Sequence, residues 1–283
     1  MNDRPSAICT GVPALTETLA PPAAPADELV IVDEGHVRIL RLNRPHRRNA
    51  LSAALIRALA DAVLEADEDP GVRSIVLTGT GEGAFCAGAD LKDMGENDRQ
   101  GGRYRPPMAR FERQIFEVVM DLKKPTIAAL NGSAVAGGFE LALACDLRVA
   151  HAGVQLGLPE AKIGMGANFG SVVLPRVIPR AIALEMLYTG EYIDAGRGQA
   201  LGLINRLVAA DQVMPQALRL AASIAANAPI SVRRVKAMAL KGMEMPVAAA
   251  LRMDPGANPY LSEDRKEGVR ARLEKRAPVW SNR

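Results

Sequence analysis

Between Thr126 and His151 the chain reads TIAALNGSAVAGGFELALACDLRVAH, with Glu140, Asp146 and Arg148 as its only formally charged side chains. So apolar a stretch belongs in an interior. TIAALNG is strand-like, the segment after it supplies a buried helix, and DLRVAH returns as a strand. Two glycines, Gly137 and Gly138, stand at the mouth of that helix, and Glu140 follows within its first turn. A helix N-terminus carries unsatisfied N–H groups and a partial positive charge. Glycine lets another molecule approach such a backbone closely. Together these features suit an oxygen on which negative charge develops. A first-turn glutamate is also what an ordinary helix start accepts, so both readings stand at this point.

The flanking sequence has a strand–strand–helix rhythm. VRILRLN (37–43) alternates apolar residues with arginine and reads as a strand. LSAALIRALADAVLEADED (51–69) has helical apolar spacing and stops at Pro70-Gly71. SIVLTG (74–79) is a short buried strand. The stretch 94–111 is polar and punctuated, and reads as a mobile loop before a helix reaching Met120. DLRVAH and QLGLP read as strands paired with one another. After Arg180 helices take over: AIALEMLYTG ends at Gly190, DAGRGQALG is a capped short helix, LINRLV is a strand, and the remainder is helical and amphipathic. Residues 1–27, with LAPPAAPADE, read as a disordered arm rather than a targeting signal.

Composition narrows the function classes. A formal net charge of +3 gives no basic face for nucleic acid. No apolar run is long enough for a membrane span. Cys9, Cys86 and Cys145 form neither a metal-ligand spacing nor an even disulfide set, so a reducing, cytoplasmic setting is expected. With only His36, His46 and His151 available, a histidine-rich metal site is poorly supplied, and no motif places a histidine beside Ser133 of GSAVAGG.

GTGEGA (79–84) matches a dinucleotide fingerprint, which requires a helix to begin there. Gly88, Asp90 and Gly95 interrupt any long helix over the next residues of the chain, so a nucleotide cofactor is not expected. FCAGADL offers a second bare backbone stretch at Gly88-Ala89, or simply a tight turn. GLPEAKIG places Glu160 after Pro159. Two carboxylates can divide acid and base roles when their environments separate their pKa values.

LNRPHRRNAL, FCAGADLKDM, KPTIAALNGSAVAGGFELALACDLRVA, LGLPEAKIG and LYTGEYIDAGRGQALGLINRLV occur in the order and spacing of the crotonase superfamily, the enoyl-CoA hydratase/isomerase family. The resemblance runs from Leu29 to the C-terminus. It implies an α/β fold: a spiral of ββα units over 28–220 and a helical oligomerisation region over 221–283 that builds a homotrimer or homohexamer. It implies an acyl-CoA thioester as substrate, with coenzyme A part of that substrate and no separate cofactor. By motif position the N–H groups of Ala89 and Gly137 form the oxyanion hole. Glu140 and Glu160 fall on the catalytic glutamates of hydratases. Ala89, Asp90, Leu91 and Lys92 fall on the stretch lining the coenzyme A site, with Lys92 and the arginines of 44–48 directed to its phosphates.

The implied activity is hydration of a trans-2-enoyl-CoA. A Δ3-Δ2 enoyl-CoA isomerase or another crotonase-type acyl-CoA lyase or hydrolase is the alternative, and a non-catalytic CoA-thioester-binding homologue a further one. One departure stands out. Hydratases commonly carry a Pro-Gly-x-Gly-Gly-type run after the second glutamate, where this chain has GMGANFGSVVLPR, one residue shorter, with Ala167, Asn168 and Phe169. That segment lies near the acyl pocket in the family, so a branched, aromatic or otherwise unusual acyl group is expected. The 94–111 stretch and LRMDPGANPYL are expected to tune specificity.

Overall fold

The structure, a computed structural model, describes residues 27–102 and 113–283. The expected arm therefore lies outside the described residues apart from Asp27, as does the second half of the 94–111 stretch. The chain opens with an antiparallel pair, β1 (Leu29–Glu34) and β2 (Val37–Leu42), then α1 (Ala53–Glu68). Ser52 caps α1 by accepting the Leu55 N–H at 3.0 Å. Three further strand pairs come next: β3 (Ser74–Gly79) with β4 (Ala84–Cys86); then, after α2 (Leu91–Arg99) and α3 (Ile115–Met120), β5 (Thr126–Leu130) with β6 (Ser133–Val135); then, after α4 (Gly137–Ala144), β7 (Leu147–His151) with β8 (Gln155–Gly157). The rest comprises α5 (Asn168–Val177), α6 (Arg180–Thr189), β9 (Ile193–Asp194), α7 (Ala195–Ala200), β10 (Arg206–Val208), α8 (Val213–Ala225), α9 (Pro229–Gly242), α10 (Val247–Ala250) and α11 (Glu263–Glu274).

β1 and β2 both join the larger sheet, whereas each of the three later pairs divides between two sheets. Its first strand enters a six-stranded sheet of order β1-β2-β3-β5-β7-β10, and its second a four-stranded sheet of order β4-β6-β8-β9. Neighbours β2–β3–β5–β7–β10 and β4–β6–β8 run parallel. The chain thus steps repeatedly from one sheet to the other, which is the ββα spiral the resemblance implied. It also corrects the expected pairing of DLRVAH with QLGLP. β7 bonds to β5 and β10, whereas β8 bonds to β6 and β9.

Both faces of the larger sheet are covered. Leu40, Leu42, Ile75, Leu77, Ala128 and Leu130 face the main core. The alternating residues Val37, Ile39, Val76, Ile127 and Ala129 meet the helix row Val213, Ala217, Ala221 and Ala225 of α8. Strands buried on both faces read as unbroken apolar runs. Residue 220 lies inside α8, so the packed helix continues across the expected 220/221 division.

One local expectation is corrected and one strand went unmarked. α2 runs through Gly95 to Arg99, so the polar stretch begins as a helix rather than a loop. Asp90 starts it by accepting the Lys92 and Asp93 N–H groups, an N-cap that outweighs one glycine inside the helix. β1 carries no clear signal in the sequence: as an edge strand it leaves Ile31 and Val32 nearly half exposed and shows no alternation. Among the described residues no helix is long and apolar enough to cross a membrane.

Candidate active site

Three successive turns of the spiral deliver their residues to one place. Because β4, β6 and β8 are parallel neighbours, their C-terminal ends lie side by side. The chain leaving β4 carries Gly88 and Ala89, that leaving β6 carries Gly137 and then Glu140, and that leaving β8 carries Glu160.

The first two turns touch through bare backbone. Gly88 has φ +86°, and a Cβ there would lie 2.9 Å from the Gly137 nitrogen and 3.0 Å from the Val135 carbonyl oxygen. Only glycine fits both the conformation and the space. Ala136, just before α4, is held at φ 53°, ψ −130°, with its N–H donating to the Gly157 carbonyl at 2.9 Å. Such a conformation for a residue with a side chain costs on the order of 1–3 kcal/mol and persists only when its surroundings impose it. The N–H groups of Ala89 and Gly137 have no acceptor among the described residues.

The carboxylates come from the next two positions. Glu140 is buried, and its Oε1 accepts the Gly170 N–H at 2.8 Å. Burial, reinforced by the charge of nearby Glu160, pushes its carboxyl up to about 7. Glu160 opens a short 3₁₀ helix, Glu160–Ile163, and is equally buried. Its Oε2 has no hydrogen-bond partner among the described residues, and burial raises its carboxyl as well. Sequence reasoning named both glutamates, and the structure places them within electrostatic reach of each other.

Apolar groups flank this centre. Glu160 lines a cavity of about 380 Å³ together with Leu158, Met165, Ala167, Leu184 and Tyr188. On the α4 side, Phe116 places its Cζ 3.4 Å from where a Gly137 Cβ would be, and Leu51 its Cδ1 at 3.6 Å. Phe116 in turn packs on Phe169, with ring centroids 5.6 Å apart and planes tilted by 46°. Phe169 stood out in the sequence as a departure. Leu51 closes the LNRPHRRNAL motif and Phe116 lies in none of the motifs; neither was marked as a site residue, because only the folded turns bring them beside Gly137.

The remaining expected residues divide. Leu91 and Lys92 are exposed on the first turn of α2. The Asp90 side chain points inward instead. Burial alone would push its carboxyl up, but Arg44 and the Asp93 and Lys92 amides outweigh this and hold it below the usual range. Arg44 is not free for a phosphate, in contrast to the expectation: it is buried and faces Glu28 at 2.9 Å and Asp90 at 3.0 Å. Arg48 is exposed and Arg47 partly so. Ser133 accepts the Gln155 N–H, while His151 pairs with the Asn131 carbonyl and the Gly153 amide, so no serine–histidine couple forms. GTGEGA runs from β3 into β4 with no helix to meet a pyrophosphate.

Comparison with known proteins agrees with this geometry. The family model described as "Enoyl-CoA hydratase/isomerase" matches residues 33–283. An enoyl-CoA hydratase of Mycobacterium tuberculosis is 38% identical over 263 residues, covering 90% of this chain and 97% of that protein. An (E)-benzylidenesuccinyl-CoA hydratase of Thauera aromatica is 38% identical over 254 residues, covering 87% of this chain and 95% of that protein. The crystal structure of an enoyl-CoA hydratase from Bacillus anthracis superposes with a TM-score of 0.83 at 35% identity, covering 90% of this chain and all of that one. With a spiral of matching architecture and a family match across nearly all described residues, the chain belongs to the enoyl-CoA hydratase/isomerase family.

Proposed function

We propose that the protein adds water across the double bond of a trans-2-enoyl-CoA to give a 3-hydroxyacyl-CoA. The observation that carries this reading is the pair Glu140 and Glu160, both buried and both raised, delivered by β6 and β8 beside the turns that present the Ala89 and Gly137 amides. The two N–H groups would donate to the thioester oxygen and draw electron density from C3 through C2 onto it. Loss of one such donor typically raises a barrier by about 3–4 kcal/mol.

The hydrogen bonding divides the roles. Glu140, with an amide donor on one oxygen, is suited to carry charge, take a proton from water and let the water oxygen bond to C3. Glu160, with a buried oxygen left unpaired among the described residues, is suited to hold a proton and deliver it to C2. The electron pair withdrawn onto the thioester oxygen returns to form the C2–H bond, and proton exchange between the carboxyls and solvent restores the pair. Each acid–base group contributes roughly 10²–10⁴ in rate. A Δ3-Δ2 isomerisation needs only one base and leaves the burial of Glu160 without a use.

No cofactor is required beyond the coenzyme A carried by the substrate. Val235, Met243, Val247, Leu251, Leu261 and Leu273 expose apolar surface along the C-terminal helical region, which supports a homotrimer or homohexamer. Buried free Cys86 and Cys145 suit a reducing cytoplasm. The deciding experiment monitors loss of enoyl absorbance from crotonyl-CoA and a panel of longer, branched and aromatic enoyl-CoA thioesters. Glu140→Gln and Glu160→Gln should each retain the fold and lose at least about 10²-fold in rate. Parental rates in both would refute the assignment.

A further inference from the structure

The Ala89 amide is singled out by how its neighbours are used. The Ala87 N–H donates to the Arg48 carbonyl at 3.1 Å, the Gly88 N–H to the Cys86 Sγ at 3.4 Å, and the Asp90 N–H to the Leu51 carbonyl at 3.4 Å. The Leu51 N–H returns a bond to the Gly88 carbonyl at 2.8 Å. The turn bearing Ala89 is therefore stapled to residues 48–51, and its aim depends on where that segment sits.

That segment is anchored by buried polar groups. Asn49 donates through Nδ2 to the Thr80 and Ala84 carbonyls at 3.0 and 2.8 Å and accepts the Arg44 N–H at 3.0 Å. The Arg44 guanidinium donates to the Ala50 carbonyl at 2.6 Å and faces Asp90 Oδ2 at 3.0 Å and Glu28 Oε1 at 2.9 Å. One side chain thus ties its own loop to the residue after Ala89 and to the start of β1. A buried ion pair is a poor investment for stability alone, because packed apolar groups commonly do as well.

We infer that the buried Arg44–Asp90 ion pair is the positioning device that aims the Ala89 amide at the point faced by the Gly137 amide, a role that rests on the hydration reading above. A misplacement of about 1 Å in a catalytic group can cost about 10²-fold in rate. Arginine is required because lysine cannot span Ala50, Asp90 and Glu28 together. Asn at position 90 keeps an acceptor for the α2 amides while removing the charge that holds Arg44.

The test uses the full chain with Arg44→Lys and Asp90→Asn. The readouts are thermal unfolding, kcat and KM for crotonyl-CoA, and the absorption of bound 4-(dimethylamino)cinnamoyl-CoA. This push–pull thioester absorbs at longer wavelength as its carbonyl is polarised, so it reports the amides and not the carboxylates. The expected result is a folded variant with the red shift largely lost, kcat lowered by about 10–100-fold and KM little changed. A folded variant with the parental shift and kcat overturns the inference. If a single variant does not fold, the double variant Arg44→Met/Asp90→Asn, which strands no charge of the pair, is read by the same criteria. A parent enzyme that hydrates no enoyl-CoA and shifts no probe refutes the hydration reading, and this inference with it. Loss of hydration with an intact shift is instead the behaviour expected of Glu140→Gln.

Discussion

Gly138 stands directly against Cys86: a Cβ added to Gly138 would lie 2.0 Å from the Cys86 carbonyl oxygen. The helix carrying Glu140 is seated on β4 with no space for one methyl group. Gly138→Ala is expected to destabilise the protein by about 3 kcal/mol, as overpacking a rigid backbone contact does. Gly83→Ala, where a Cβ meets nothing within 4 Å among the described residues, should shift stability by no more than about 0.5 kcal/mol. Urea denaturation of the two variants checks the contrast.

Glu140 imposes a pH dependence on stability. Its carboxyl is raised from 4.5 to about 7 in the fold. Between those values the folded state binds more protons than the unfolded state, so the contribution of Glu140 is fully present below about pH 4.5 and declines as pH rises through about 7. Glu140→Gln keeps an acceptor for the Gly170 amide and cannot ionise. It should therefore be more stable than the parent at pH 8, by about 2–3 kcal/mol, with little difference at pH 5. Thermal melts at both pH values decide the matter, and a smaller advantage at pH 8 than at pH 5 would contradict the assignment.

Ala136 sits at φ 53° immediately before the Gly137 amide. Ala136→Gly removes the backbone strain but adds chain entropy in the unfolded state, so stability should change by less than about 1 kcal/mol. Ala136→Val puts a β-branched side chain in a region it scarcely enters. It should lower stability by about 2 kcal/mol or more and lower kcat with it. Equal melting temperatures for the two variants would show that position 136 is unstrained.

Phe169 closes the α4 side of the site by packing on Phe116. Phe169→Ala should cost about 3 kcal/mol in stability, at the lower end for a buried aromatic ring. It should also raise the ratio of kcat/KM for cinnamoyl-CoA over crotonyl-CoA, because the vacated space adjoins Phe116, whose ring lies beside Gly137. An unchanged ratio would place the acyl group entirely on the side of the cavity lined by Leu158 and Leu184.

The parts readable in the sequence were those whose signal is local. SIVLTG matched β3 to the residue, and Gly190 ended α6 in a left-handed cap. Glu140 and Glu160 were found through motifs, but their proximity arises from the parallel pairing of β6 with β8. Strands β4 and β6, three residues each, are too short to show a period. The pairing of β7 and β8 was misjudged because neighbours in sequence usually pair, whereas here each connection changes sheets. Arg44 looked like a surface phosphate ligand, since nothing local marks an arginine as buried. Its partners Glu28 and Asp90 come from different turns of the spiral.

Stacking of β4, β6 and β8 has a consequence for how such a protein can diversify. The spacing between one tool and the next is set by main-chain ladders about 4.8 Å apart, which are indifferent to the side chain that comes after each strand. A substitution at 140 or 160 changes the reagent and leaves the rack that holds it in place. New chemistry on an activated thioester can therefore arise one position at a time, without any redesign of the frame.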